Sequence, residues 1–218
     1  MSIRDGRSRD RKWGTGEAEH RETPALPSSE NGLSNQSLVD GLARGDTRAA
    51  TQFHKRYRFR IDYWVWRLLG TDCECEDMVQ QVFVNILSGV SRINCVDSLD
   101  SWVDSVTIRT VRYELRRRQR RRSFFLRSDE FDIEDCGDTR SPFQLFHVRR
   151  FYAILNTMPT DARMIFVARH LNGYGFKHIA STWNTSMSTV KRKLKRADIL
   201  FRKKVMRDGT LISLRCAN

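Results

Sequence analysis

The sequence predicts an all-α protein made of two small helical domains joined by a flexible acidic linker. Three observations carry this. Apolar residues recur at helical spacing from Leu38 to about residue 116. A second stretch, from residue 151 onward, is patterned as a helix pair followed by a helix-turn-helix. Between them the composition turns acidic, with Asp129, Glu130, Asp132, Glu134, Asp135 and Asp138 among Gly137, Ser141 and Pro142. These features set the expected boundaries: a disordered arm over 1–33, a first domain over 34–122, the linker over 123–143, a second domain over 144–205 and a tail over 206–218.

Bulk properties narrow the function. With 218 residues and 39% hydrophobic side chains the chain can build compact cores. Its formal charge of +13 favours a polyanionic partner, because binding phosphates releases condensed counterions. Nucleic acid is the first candidate and an anionic membrane surface the second. The longest aromatic and apolar stretches, such as Tyr63-Trp64-Val65-Trp66, are soon broken by arginine, whereas a membrane span needs about 20 apolar positions. The N-terminal residues lack the apolar segment of a secretory signal, so the expected location is cytoplasmic, with the nucleoid. Five cysteines, at 73, 75, 95, 136 and 216, lack the spacing of a disulfide framework or a zinc site, and no metal or cofactor is expected.

The first helical block runs through Leu38, Phe53, Tyr57, Ile61 and Val65 and stops at Gly70. Thr71-x-x-Glu74 has the form of a capping box for the next helix, whose apolar stripe comprises Met78, Val79, Val82, Phe83, Ile86 and Leu87. The opposite face carries Asp77, Gln80, Gln81 and Asn85, and its amide content suits a protein contact better than bare solvent. After a loop with Asn94 and Asp97, a long helix starts near Leu99 to Trp102 and ends in an arginine run. Ser105, Arg109, Arg112 and Arg116 fall four, three and four residues apart, on one face that can follow a phosphate backbone. Seven arginines between 112 and 122 repel one another strongly unless a polyanion is near. The acidity of the linker suits either mimicry of nucleic acid in a basic channel or simple solubility.

The most specific local signal is the helix-turn-helix over Phe176 to Lys195. Ile179 and Trp183 can bury on its first helix, and small Ala180 lets the second helix cross closely. Asn184 stands where the turn needs a left-handed residue. Ser186 can cap the second helix, and Val190, Leu194 and Ala197 form its buried stripe. Ser188, Lys191, Arg192 and Lys195 then share the outward face, as a helix reading base edges in the major groove requires.

Taken together, the order of parts resembles the extracytoplasmic-function (ECF) group of bacterial RNA polymerase sigma factors. Glu76-Asp77-Met78-Val79-Gln80-Gln81-Val82-Phe83 is similar to the polymerase-binding signature of sigma region 2. Residues Phe151 to Arg196 are similar to sigma region 4, with Leu155-x-x-Met158-Pro159, Arg163, Gly173-Tyr174, Ile179-Ala180 and Ser188-Thr189-Val190-Lys191. The resemblance spans roughly residues 38 to 205. It implies that Asp77, Gln80, Gln81 and Phe83 belong to the helix that docks on core RNA polymerase, with Phe83 also suited to core support. It implies that the loop from Ser91 to Asp100 and the helix carrying Ser105, Arg109, Arg112 and Arg116 meet the −10 element of promoter DNA. It places Ser188, Lys191, Arg192 and Lys195 on the −35 element, and it implies an anti-sigma factor as regulator. The chain departs from the family after Trp102, where Asp104, Ser105 and Arg109 stand in place of an aromatic, an arginine and an asparagine.

A catalytic constellation is missing: the five histidines are scattered and accompany no serine–aspartate partners, glycine loop or metal signature. The chain is therefore expected not to be an enzyme. The competing reading is a free-standing helix-turn-helix regulator, which has no use for the amide-rich face at Asp77, Gln80 and Gln81. A DNA-processing enzyme is disfavoured by the missing carboxylates and nucleophile.

Overall fold

A computed structural model describes residues 33–70, 74–93, 95–124 and 142–207; side chains are described for 33–70, 74–93, 95–121 and 146–207. The expected N-terminal arm up to residue 32, most of the acidic linker and the tail beyond 207 lie outside the described residues. Within them the chain is all-α, with eight helices and no strand.

Helix α1, Asn35–Ala43, starts at Ser34, whose Oγ accepts from the Ser37 amide and so satisfies one of the free N–H groups of the first turn. Asp46 plays the same part for α2, Thr47–Leu69, accepting from the Arg48 amide at 2.8 Å. The two helices cross with Gly41 against Ala49. A Cβ on Gly41 would lie 2.5 Å from the Ala49 Cβ, so only glycine permits that approach. Phe53, Tyr57, Ile61 and Val65 of α2 are buried as their spacing predicts, and Trp64 and Leu68 are buried beside them. The helix ends at Gly70, whose φ of 84° is a left-handed conformation.

Helix α3, Cys75–Gly89, differs from expectation at its start. Glu74 is itself the capping position and makes no side-chain bond to the helix, so it is one turn too early to act as the third residue of a capping box. Its carboxylate pairs with Arg118 instead, and Thr71 lies outside the described residues. The apolar stripe of Met78, Val79, Val82 and Ile86 is buried, Phe83 is half-buried, and Leu87 is 46% exposed. At 100° per residue Leu87 sits roughly 120° from the centre of that stripe, which explains why it faces out.

Helix α4, Leu99–Phe124, is the axis of the molecule: α2 and α3 pack on one side of it, and α6 and α7 on the other. Its burial is broad and includes polar groups. Asp104 is fully buried. It accepts two 2.7 Å bonds from the Arg60 guanidinium and one of 3.1 Å from Trp64 Nε1. Asp104, which the sequence places among the departures in a DNA-facing helix, thus points into the core. Glu114, 5% exposed, is held by Arg117, Arg118 and Arg121.

The C-terminal half comprises α5 (Pro142–Asn156), α6 (Thr160–Phe166), α7 (Phe176–Thr182) and α8 (Met187–Arg207). The chain leaves α6 through a wide π turn over Val167–Leu171, in which the Asn172 amide donates to the Val167 carbonyl at 3.1 Å. Gly173, with φ 72°, then reverses the chain and delivers Tyr174 to the first half. The Tyr174 ring stacks on Trp64 at 4.9 Å and on His178 at 4.6 Å. The buried core consequently continues from α1 to α8 without a break.

Candidate nucleic-acid interface

The helix-turn-helix forms as the sequence predicts. Ile179 and Ala180 are buried on α7, while Trp183 is half-buried. Asn184 has φ 47° and is the only non-glycine residue with positive φ among the described residues. The Thr185 amide donates back to the Ala180 carbonyl at 2.9 Å, closing the turn. Ser186 Oγ accepts from the Thr189 amide at 3.2 Å, which caps α8. Val190, Leu194 and Ala197 are buried.

That burial fixes which face of α8 is free. Ser188, Lys191, Arg192 and Lys195 are all exposed and adjacent on the helix surface. Arg192 and Lys195 make no ion pair or hydrogen bond among the described residues. Lys191 lies over the Phe176 ring at 5.5 Å, and Arg169 approaches the same ring at 4.8 Å. Two cations escaped the sequence reading: exposed Arg196, next to the reading face, and exposed Lys177 on α7. Lys193, between the reading residues in sequence, turns inward to Asp161 at 3.5 Å.

The predicted arginine stripe of α4 is divided. Ser105 Oγ shares its proton between the Ser101 carbonyl of its own helix at 2.8 Å and the Thr182 carbonyl of α7 at 3.1 Å. Arg112 donates to Asp161 of α6 at 2.6 Å and 2.8 Å, and Arg116 to the same carboxylate at 3.1 Å. Burial pushes the Asp161 carboxyl up, but the Arg112 hydrogen bond and the charges of Arg112, Arg116 and Lys193 outweigh it and hold it below the ordinary range. Arg109 is exposed and lines an open cleft between α3 and α4 instead. Three of the four residues therefore face the C-terminal helices.

On α3, Asp77, Gln80 and Gln81 are exposed together, as predicted. Gln81 donates to Asn85 at 3.2 Å and Asn85 to Thr110 of α4 at 2.9 Å, a short amide chain that fixes this face relative to α4. Phe83 points elsewhere, packing edge-on against Phe53 at 6.4 Å and beside His54 at 4.8 Å, so its geometry is that of a supporting residue. Val84, 54% exposed, and Leu87 add an apolar component to the Asp77 face that the sequence reading missed. The α3–α4 cleft is lined by Asp77, Gln81, Trp102, Arg109 and Tyr113, among others.

Among the described residues no three potential metal ligands gather. Cys75 is buried with Sγ 3.4 Å from the Gly70 carbonyl, and Cys95 is exposed. No described helix is long and apolar enough to cross a membrane.

These features define an all-α protein whose helix-turn-helix presents a cationic outward face and whose α3 presents a separate exposed amide-rich face. Residues 149–197 match the family described as Sigma-70, region 4. The chain is 24% identical over 161 residues to the ECF RNA polymerase sigma factor SigE of Mycolicibacterium smegmatis, covering 71% of this chain and 62% of that one. It is 20% identical over 174 residues to the ECF RNA polymerase sigma-E factor of Escherichia coli K12, covering 76% and 91%, and 26% identical over 123 residues to SigX of Bacillus subtilis, covering 54% and 63%. Among solved structures it shares the fold of CnrH, determined in complex with the cytosolic domain of CnrY, with a TM-score of 0.54, 16% identity and coverage of 80% and 99%. The fold and these similarities are those of ECF-type RNA polymerase sigma factors.

Proposed function

We propose that this chain binds core RNA polymerase through the outer face of α3 and directs it to promoters by contacting two DNA elements with two different helices. In this reading residues 34–122 serve the polymerase and the −10 element, and residues 144–205 serve the −35 element. The exposed amides of Gln80 and Gln81 with Asp77, edged by Val84 and Leu87, combine a polar rim with apolar anchors, which suits a protein partner. Ser188, Lys191, Arg192 and Lys195 would read duplex edges in the major groove, with Arg192 able to donate two bonds to a guanine. Ser105, Arg109, Arg112 and Arg116 would follow the phosphates beside the −10 element. Binding the opened strand better than the duplex lowers the cost of melting, and that task needs no catalytic residue.

The observation that carries this reading is the free cationic face of α8 on a correctly capped helix-turn-helix, within the segment matched to sigma region 4. CnrH was solved with the cytosolic domain of CnrY, and a protein regulator that masks the same surfaces is part of the proposal for this chain. The cell compartment that follows is the cytoplasm, with the nucleoid.

Co-purification with core RNA polymerase at moderate salt tests the reading, using the wild-type chain and an Asp77→Ala, Gln80→Ala double variant. Association that weakens in the variant supports it. Specific duplex binding without any association with polymerase would make the chain a free-standing regulator.

A further inference from the structure

The arginines proposed for the −10 element already hold an anion in this fold, and that anion belongs to the chain itself. Asp161, near the start of α6, is shared by Arg112, Arg116 and Lys193. Around it, Ser105 donates to the Thr182 carbonyl, and Gln119 of α4 accepts from the Thr160 amide at 3.4 Å and its hydroxyl at 3.0 Å. A few residues on, Arg163, 4% exposed, donates to the carbonyls of Leu68 and Leu69 at the end of α2. Apart from the Lys193–Asp161 pair, which lies within the C-terminal half, each of these bonds joins the two halves. The reading face of α8, in contrast, stays outside the seam.

We propose that Asp161 is an internal phosphate mimic that latches the C-terminal half over the −10 face of α4 and withholds Arg112 and Arg116 from DNA until the halves part. The proposal rests on the assignment of α4 to the −10 element and adds its regulation. A carboxylate oxygen placed between two guanidinium groups and an ammonium offers them the charge and acceptor geometry that a backbone phosphate would offer. DNA and Asp161 therefore compete for the same donors. The −35 face needs no such release, so the free chain is competent for duplex contact through α8 while its strand-binding arginines are occupied. Core polymerase, docking on the opposite face of the first half at α3, has access to its own site in the latched form.

The test measures binding of the full-length chain to a labelled single-stranded oligonucleotide of mixed sequence across a salt series. Each phosphate neutralised on a single strand contributes about 0.7 to the slope of log K against log salt. Asp161→Asn, by freeing Arg112 and Arg116, is expected to steepen that slope by about 1.4 and to tighten binding at low salt. Adding Arg112→Ala to Asp161→Asn should abolish about half of the gain in slope, because one of the two freed cations is then missing. Gln119→Ala removes the acceptor for Thr160 and leaves every ion pair intact; it should move the slope in the same direction by a smaller amount, and it carries the test should Asp161→Asn fail to fold. Wild-type slopes in both folded variants overturn the latch. Run-off transcription with core polymerase on a genomic promoter library is measured in parallel: promoter-specific transcripts with unchanged slopes reject the latch alone, whereas no promoter-specific transcript rejects the sigma assignment and the latch together.

Discussion

The Arg163 guanidinium donates to the Leu68 carbonyl across the seam, at 2.6 Å. The last carbonyls of an α-helix have no partner within the helix and carry the negative end of its dipole. Arg163 satisfies two of them at the end of α2 and also bonds Asn156. A residue that the sequence reads as part of a helix pair supporting the recognition helix therefore also fastens that pair to the rest of the molecule.

Arg163→Met should lower stability by about 2 to 3 kcal/mol, since it deletes charge-assisted bonds and leaves buried carbonyls unsatisfied. Urea denaturation monitored by circular dichroism measures the loss. A change under about 0.5 kcal/mol, the range of an ordinary surface substitution, would contradict the buried cross-link.

Asp104→Ala should cost about 3 to 5 kcal/mol, because it leaves the Arg60 guanidinium, whose side chain is only 11% exposed, with the longer 3.5 Å pairing to Asp100 alone and takes the acceptor from buried Trp64 Nε1. Replacing both partners, as Arg60→Met with Asp104→Leu, should be markedly milder than the single change. A double-mutant cycle in thermal or chemical denaturation checks the coupling; additive losses would show that the pair is not one unit.

Arg192→Ala should weaken binding to −35 duplex by about 1 to 3 kcal/mol and relax base preference at one position, whereas Lys177→Ala, on the first helix of the motif and outside the reading face, should weaken all sequences alike and lower the salt slope by about one. Anisotropy titrations against a set of single-base variants separate the two. Uniform loss for Arg192→Ala would remove it from the base-reading set.

Burial holds the His178 imidazole below its ordinary value of 6.5, and its Nε2 is buried without a hydrogen-bond partner among the described residues. The sign follows from linkage. The unfolded chain takes up the proton first, so the stabilisation from His178 is complete above about 6.5 and is lost as the pH falls through the depressed folded value. Asp104 raises and Arg60 lowers this imidazole, and neither overrides the burial. Stability should therefore decline on mild acidification, and His178→Phe should flatten that decline when denaturation midpoints are compared from pH 7.5 to 5.5, a window chosen around the ordinary imidazole value. An unchanged pH profile would mean that His178 is not the titrating group.

Helical periodicity made much of this molecule legible before any coordinates. Ile179, Ala180, Asn184, Ser186, Val190 and Leu194 all take the roles their spacing assigns, because each is decided within two adjacent helices. Leu87 was misread because an apolar residue at the edge of a stripe satisfies the pattern without being needed in the core. Glu74 departs from the capping-box expectation because it stands at the capping position itself and its carboxylate goes to Arg118 of α4, a partner that a local motif cannot report. The partners of Arg112, Arg116 and Arg163 were beyond reach for a different reason. Spacing says which residues share a face, and only packing says which helix that face meets. Asp161 carries no sequence signal of its own, being one acidic residue at the start of a helix, where acidic residues are commonplace.

The π turn at Val167–Leu171 holds one residue more than a regular α-helical path would use. A residue inserted there, beyond the extra one that the wide turn already absorbs, would rotate everything after it by about 100°. Tyr174 would swing off Trp64, and the recognition helix would turn with it while every base-reading side chain remained in the sequence. Insertions in this five-residue stretch should thus be far less tolerated than substitutions of Ser188 or Lys195, and a library of single-codon insertions would reveal the turn as the place where chain length itself sets the aim of the DNA-binding helix.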